Sequence, residues 1–171
     1  MSSSPVVLSK TVPAEILHQL AHRGKLYAIL DACDAPQVPV KVAELGPERA
    51  LCLYQGPLDT ATLSYAPYLV ALDRDTLDWL LENLWHDPWG IFSISNAGLI
   101  TLRRHFRKFL TVSLPGNRPA YFRYYDPRVL QVFVPSCNEQ ELNKIFGPVD
   151  ALGLTHSRAD KKEAILFTRA S

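Results

Sequence analysis

Helical and extended periodicities alternate along this chain. Apolar positions at helical spacing in Ala14-Glu15-Ile16-Leu17-His18-Gln19-Leu20-Ala21-His22 predict a helix that Gly24 stops. Residues 25–32, with the apolar run Leu26-Tyr27-Ala28-Ile29-Leu30 at their centre, predict a buried strand, with a loop over residues 31–39. Strands are predicted again over residues 48–54, closed by Gln55-Gly56-Pro57, and over residues 66–72. In the latter run Pro67 moves the start toward a sheet edge or a loop, because proline cannot donate to a ladder. Leu77, Leu80, Leu81, Leu84 and Trp85 then form an apolar stripe at i, i+3, i+4, i+7 and i+8. Asp75 is its expected cap, with Asp78 three residues on, and Pro88 with Gly90 its expected end.

Residues 89–95 predict a further strand, and a second amphipathic helix starts near Asn96. Leu99, Leu102, Phe106, Phe109 and Leu110 occupy one face of that helix; Arg103, Arg104, Arg107 and Lys108 lie mostly on another. After the turn-like Gly116-Asn117-Arg118-Pro119, residues 120–124 are short and aromatic-rich and predict a strand. It breaks sharply into a helix, for which Asp126 offers a capping oxygen and Pro127 suits the first turn. Arg123, Tyr124, Tyr125 and Arg128 should pack around this corner. Asn138 with Glu141 predicts a capping box for a short helix that turns Leu142, Ile145 and Phe146 inward and stops at Gly147-Pro148. Residues 151–155 and 164–169 predict two last strands, paired as a hairpin around a polar turn longer than usual.

Alternating strands and helices favour an α/β fold, with a mixed central sheet flanked by helices in a single compact domain. The expected division is a tail and helix over residues 1–24 and a core over 25–134. Residues 135–171 add a helix and strands that complete the same domain.

Composition agrees: 47% hydrophobic and 20% charged residues over 171 positions describe a folded chain with enough length for a core. A net charge of +1 exerts no global pull toward nucleic acid or a membrane. Cys33, Cys52 and Cys137 form no C-x-x-C pair, so neither a zinc knuckle nor a redox motif is indicated. Residues 2–5 read as a loose tail, no secretion signal is visible, and no apolar run is long enough for a membrane span. A soluble, cytoplasmic protein is the expectation.

Candidate chemistry is sparse. Between residues 97 and 128, Arg103, Arg104, Arg107, Lys108, Arg118, Arg123 and Arg128 are offset only by Asp126. Between residues 58 and 87, Asp59, Asp73, Asp75, Asp78, Glu82 and Asp87 face only Arg74. The basic run over 103–108 reads either as a surface for nucleic acid or another anion, or as a solvated helix face paired in part with the acidic helix. The near-neutral total favours the second reading. His18 and His22 share i, i+4 spacing, but Gln19 stands where a zinc protease needs glutamate, and no third ligand is visible. Cys52 falls inside a predicted strand as a buried thiol; Cys33 and Cys137 fall in loops without a nucleophile signature. No catalytic motif, cofactor or metal is expected. Trp79 interrupts a polar helix face, and Tyr124 and Tyr125 cannot both point the same way along a strand, so one of each group is a candidate exposed aromatic.

The run Phe122-Arg123-Tyr124-Tyr125-Asp126-Pro127-Arg128 resembles the mark of the adaptor (effector chaperone) domain of the bacterial type VI secretion system. Other segments fit in the same order: Leu26-Tyr27-Ala28-Ile29-Leu30-Asp31-Ala32, Ala66-Pro67-Tyr68-Leu69-Val70, Trp89-Gly90-Ile91-Phe92-Ser93 and Leu102-Arg103-Arg104-His105-Phe106-Arg107-Lys108-Phe109. The resemblance implies a non-enzymatic adaptor with two protein partners, a toxic effector and the spike protein VgrG, and no nucleic acid. Many members carry a longer, variable second lobe after the motif; here residues 131–171 follow, which leaves effector choice open. On helix-in-groove logic the rim would include Arg104, Arg107 and Arg128, and the groove would draw on Trp79, Tyr124 and Tyr125. Phe122, Arg123, Asp126 and Pro127 would form the structural corner.

Overall fold

Strands buried on both faces account for the long apolar runs. In the computed structural model, which describes residues 7–170, β2 (Leu26–Asp31) is buried at every position. It lies inside a seven-stranded sheet with β1 (Val7–Pro13), β3 (Ala50–Cys52), β4 (Pro67–Ala71), β5 (Gly90–Ile94), β8 (Ala151–Arg158) and β9 (Lys161–Arg169). The strand order is β1-β9-β8-β5-β2-β4-β3. Leu26, Ala28 and Leu30 join one apolar cluster; Tyr27 and Ile29 join the other. This is the period-two alternation of a strand with a core on each side. Each fully buried Leu or Ile there contributes about 1.5–3 kcal/mol relative to exposure.

The helices divide between the two faces. Leu17 of α1 (Ala14–His22), Val38 of α2 (Gln37–Leu45) and Leu77, Leu80 and Leu81 of α4 (Arg74–Asn83) cover one. Leu102 and Phe106 of α5 (Leu99–Arg107) cover the other, with Leu130 and Val134 of α6 (Pro127–Ser136) and Leu142, Ile145 and Phe146 of α7 (Glu139–Phe146). A short α3 (Thr60–Leu63) and a separate two-stranded hairpin, β6 (Thr111–Leu114) with β7 (Arg118–Tyr121), lie outside the seven-stranded sheet. Among the described residues no helix is long and apolar enough to cross a membrane.

The fold is mixed α/β, as its alternating pattern implies, but the sheet is not mixed in direction. Every strand pair is antiparallel. Continuous apolar runs report only that both faces are covered, which helices do here for an antiparallel sheet. Pro67 is likewise not at a sheet edge: β4 lies between β2 and β3, and Pro67 opens the strand, a position where proline is tolerated.

Gly90 is required by close approach. Its φ is +144°, and an added Cβ would stand 1.8 Å from the Ile29 carbonyl oxygen. The loop expected over residues 31–39 shortens, since α2 begins at Gln37, and the 48–54 strand contracts to β3. The α4 cap is Asp73, which accepts from the Thr76 amide at 2.9 Å, rather than Asp75. The β8–β9 turn is tight, not long: Ala159 and Asp160 both have positive φ, the two-residue geometry that matches strand twist. Residues 157–163 are polar because the strand ends are exposed. The tail expected over residues 2–5 lies outside the described residues, and β1 adds a strand to a region expected to hold only tail and helix.

Candidate functional site

The corner at residues 122–128 is built from the cap outward. Asp126 accepts from the Arg128 amide at 2.9 Å, and Pro127 opens α6, where its missing N–H costs nothing. The Arg128 guanidinium turns back on the same carboxylate, donating from Nε at 3.0 Å and Nη2 at 2.8 Å. These bonds, that from the Arg128 side chain foremost, hold the Asp126 carboxyl below its ordinary range. Tyr124 is fully buried, donates to the Phe106 carbonyl at 2.8 Å and stacks on the Phe106 ring, locking the corner to α5. Phe122 meets Phe133 edge-on at 4.9 Å, joining the corner to α6.

Arg123 reaches away from these contacts. It donates to Asp31 at the end of β2, whose other carboxylate oxygen accepts from the Cys33 amide at 3.0 Å. Asp31 is 5% exposed, and burial is the first cause of its raised pKa; the Cys33 amide and Arg123 oppose it. The Arg123 guanidinium also lies over the Tyr125 ring, 5.8 Å from its centre.

A cavity of about 640 Å³ opens beside this pair. Its wall is aromatic: Tyr54 follows β3, Tyr65 follows α3, Tyr121 ends β7 and Tyr125 comes from the corner. Leu53, Leu58 and Leu110 add apolar surface, while Arg107 and Arg123 supply charge. Tyr121 is 76% exposed and lies 6.1 Å from Tyr54, ring to ring; Tyr65 is 49% exposed. The hairpin carrying Tyr121 also exposes Val112 and Leu114. Gln55 and Arg107 continue the cavity into a second depression lined by Ile100, Arg103 and Arg104 on α5 and by Lys108, its C-cap. Arg103 donates to the Cys52 carbonyl at 2.8 Å, which seats this shelf against β3. Among the described residues, no Asp or Glu lines either depression.

The family model described as "Domain of unknown function (DUF4123)" matches residues 26–144. The chain belongs to this family. No curated protein and no solved structure matches it. The DUF4123 span contains every residue of the corner, the aromatic cavity and the α5 shelf; β1, β8 and β9 lie outside it.

The DUF4123 geometry rearranges the residues expected to bind. Arg107 lines the cavity and Arg104 the adjoining shelf. Arg128 lines neither, being folded onto Asp126. Neither tyrosine of the corner is an exposed aromatic: Tyr124 and Tyr125 are 0% and 3% exposed. The alternation argument fails there because β7 ends at Tyr121 and residues 122–126 turn instead of extending. Tyr125 still forms part of the cavity wall. Trp79 packs against the cluster on the opposite face of the sheet, with Lys41 over its ring at 5.4 Å, so it shares no surface with the arginines.

The acidic helix does not pair with the basic one. Among the described residues, no ion pair joins Arg103, Arg104, Arg107 or Lys108 to an acid. His18 is engaged by Asp78 at 2.7 Å and by the Ala14 carbonyl. Cys52 is half-buried rather than buried, and Cys137 is buried rather than open, its thiol pushed up to about 11 by burial. Cys33 is exposed at the cavity. Tyr54, Tyr65 and Tyr121 went unread in the sequence, and each adjoins a turn: Gln55-Gly56-Pro57, Ala66-Pro67 and Gly116-Asn117-Arg118-Pro119. An exposed tyrosine beside such punctuation is the signal that could have marked them.

Proposed function

We propose that this chain is a type VI secretion adaptor that holds a cognate effector by that protein's hydrophobic N-terminal region, in the cytoplasm, and helps load it onto the VgrG spike. The observation that carries the reading is the tyrosine-walled cavity, open to solvent and continuous with an arginine shelf. An apolar segment free in water is an aggregation hazard, and burying it in such a groove removes the exposure. The work asks for shape, aromatic surface and a polar rim, and for no reacting group. The motif resemblance supports the same assignment, and the motif lies inside the family match over residues 26–144.

The test is affinity capture of the tagged protein from its own cytoplasm, with the co-purifying proteins identified by mass spectrometry. Recovery of a large protein with an apolar N-terminal region, with or without the spike, is the expected result. Recovery of nothing specific, or only of nucleic acid stripped by moderate salt, overturns the reading. The second reading, an anion- or nucleic-acid-binding module, draws on Arg104 and Lys108, which are exposed on the shelf and unpaired with any acid among the described residues. It predicts affinity that falls steeply with salt.

A further inference from the structure

We infer that the groove selects an acidic amphipathic protein segment, one that places an apolar side chain among Tyr54, Tyr65 and Tyr121 and carboxylates against Arg107 and the α5 shelf. The inference rests on the adaptor reading and supplies the chemistry of the partner. Charge complementarity carries it. Arg107 and Arg123 line the cavity, and Arg103, Arg104 and Lys108 line its extension, with no acid among the described residues of either wall. Among the described residues, Asp31, beneath Arg123, is the one carboxylate bonded to any of these five cations. A purely hydrophobic occupant would leave that field unanswered and would desolvate Arg107 without compensation; a basic one would be repelled.

The position of Arg107 sharpens the argument. It belongs to both depressions, so it marks where an apolar anchor gives way to charge along the occupant. Guanidinium groups favour carboxylates because their planar forks match, so the segment should carry Asp or Glu close to an aromatic or branched anchor. A single nucleic acid strand would also meet tyrosines and cations, but such strands need successive open ring faces. Here Tyr125 is buried, and Tyr54 is tilted 42° to Tyr121 rather than stacked parallel with it.

A random peptide-display library panned against the full chain tests this directly. The expected result is enrichment of peptides that combine Asp or Glu with a neighbouring aromatic or branched residue. An enriched peptide, resynthesised, should bind the R107E variant about tenfold more weakly or worse, and Y121S likewise. Both side chains reach solvent, and near-UV circular dichroism verifies that the variants are folded. No enrichment overturns the inference, as do enriched peptides without acids, R107E selecting the same sequences as the parent chain, or a thymidine oligonucleotide displacing the peptide at moderate salt. Failure here and failure of the adaptor reading separate cleanly. If capture of effector and spike survives R107E and Y121S undiminished, the adaptor stands and this groove assignment falls. If acidic peptides bind but nothing is captured from the cytoplasm, the groove assignment stands and the adaptor falls.

Discussion

Replacing Arg123 by methionine tests the tie between the corner and the sheet. Methionine keeps an unbranched stem and removes only the charge and its donors. Among the described residues, Asp31 would retain the Cys33 amide as its one remaining partner, inside a site where its side chain is 6% exposed. Breaking a fully buried pair in this way costs about 3–5 kcal/mol. The Arg123 side chain is 45% exposed, so water entering its place solvates part of the abandoned carboxylate, and the deficit falls to about 2 kcal/mol. Loss of the contact with the Tyr125 ring adds about 0.5–1 kcal/mol. For a chain of this size the sum lowers the melting temperature by roughly 5–10 °C.

The pH dependence identifies the cause. Asp31 already has a raised pKa, first through burial, and loss of Arg123 removes two of the influences that oppose the rise. A carboxyl whose folded value lies above its unfolded one holds more protons when folded. Its stability contribution is therefore complete below the unfolded value and lost as pH rises through the folded value. Urea unfolding of R123M should show the largest deficit at neutral pH and a smaller one in mild acid. D31N in the same background should recover much of the loss, because an amide buries more cheaply than an unpaired charge. A deficit that ignores pH, or a double variant as unstable as the sum of the singles, refutes the reasoning.

Other consequences are narrower. Gly90→Ala should cost at least about 3 kcal/mol or abolish soluble expression, since its Cβ would overlap the Ile29 carbonyl at 1.8 Å; a thermal melt matching the parent chain would contradict the β2–β5 register. Asp126→Ala should lose about 0.5–2 kcal/mol by denaturant titration while keeping capture of its partner; normal folding with lost capture would move the binding role to the corner. His105 is buried with its Nε2 2.7 Å from the Ile145 carbonyl oxygen, and burial lowers its pKa. The unfolded chain then binds the extra proton, so stability is complete above the ordinary imidazole range and declines as pH drops through it; H105Q should flatten that limb of a urea-midpoint profile. Tyr121→Ser should change the stability read from a denaturant titration by no more than the roughly 0.5 kcal/mol usual at a surface, whatever it does to binding.

What the sequence disclosed followed from where each signal is local. The Asp126 cap, the Asn138–Glu141 capping box and the apolar stripes of α1 and α4 depend on neighbours within a turn or two, and each stands in the structure. Strand direction does not: antiparallel β2 reads like a parallel strand because helices bury both its faces. β1 and β6 escaped because their exposed residues carry no alternation of burial, and α2 because Pro39 falls inside its first turn. The corner was legible as a break from strand to helix; which side chains it buries was not, since that depends on β7 stopping at Tyr121.

The same distinction separates the motif from the site. Phe122, Tyr124, Asp126 and Pro127 are taken up by internal contacts, and Arg128 by its own cap, so most of the run over residues 122–128 serves to turn the chain. Arg123 is different, because it commits a guanidinium nitrogen to Asp31 while its side chain stays half-exposed along the cavity. It joins the frame to the groove. The cavity wall otherwise comes from residues scattered over the segment after β3, α3 and the turn that follows it, α5 and the hairpin, which no single run of sequence could display. A motif search therefore lands one layer beneath the surface it should find. On the proposed function, substitutions in the motif should act first on stability and those at Tyr65 or Tyr121 first on binding, so the ratio of the two effects, residue by residue, should trace the boundary between frame and site.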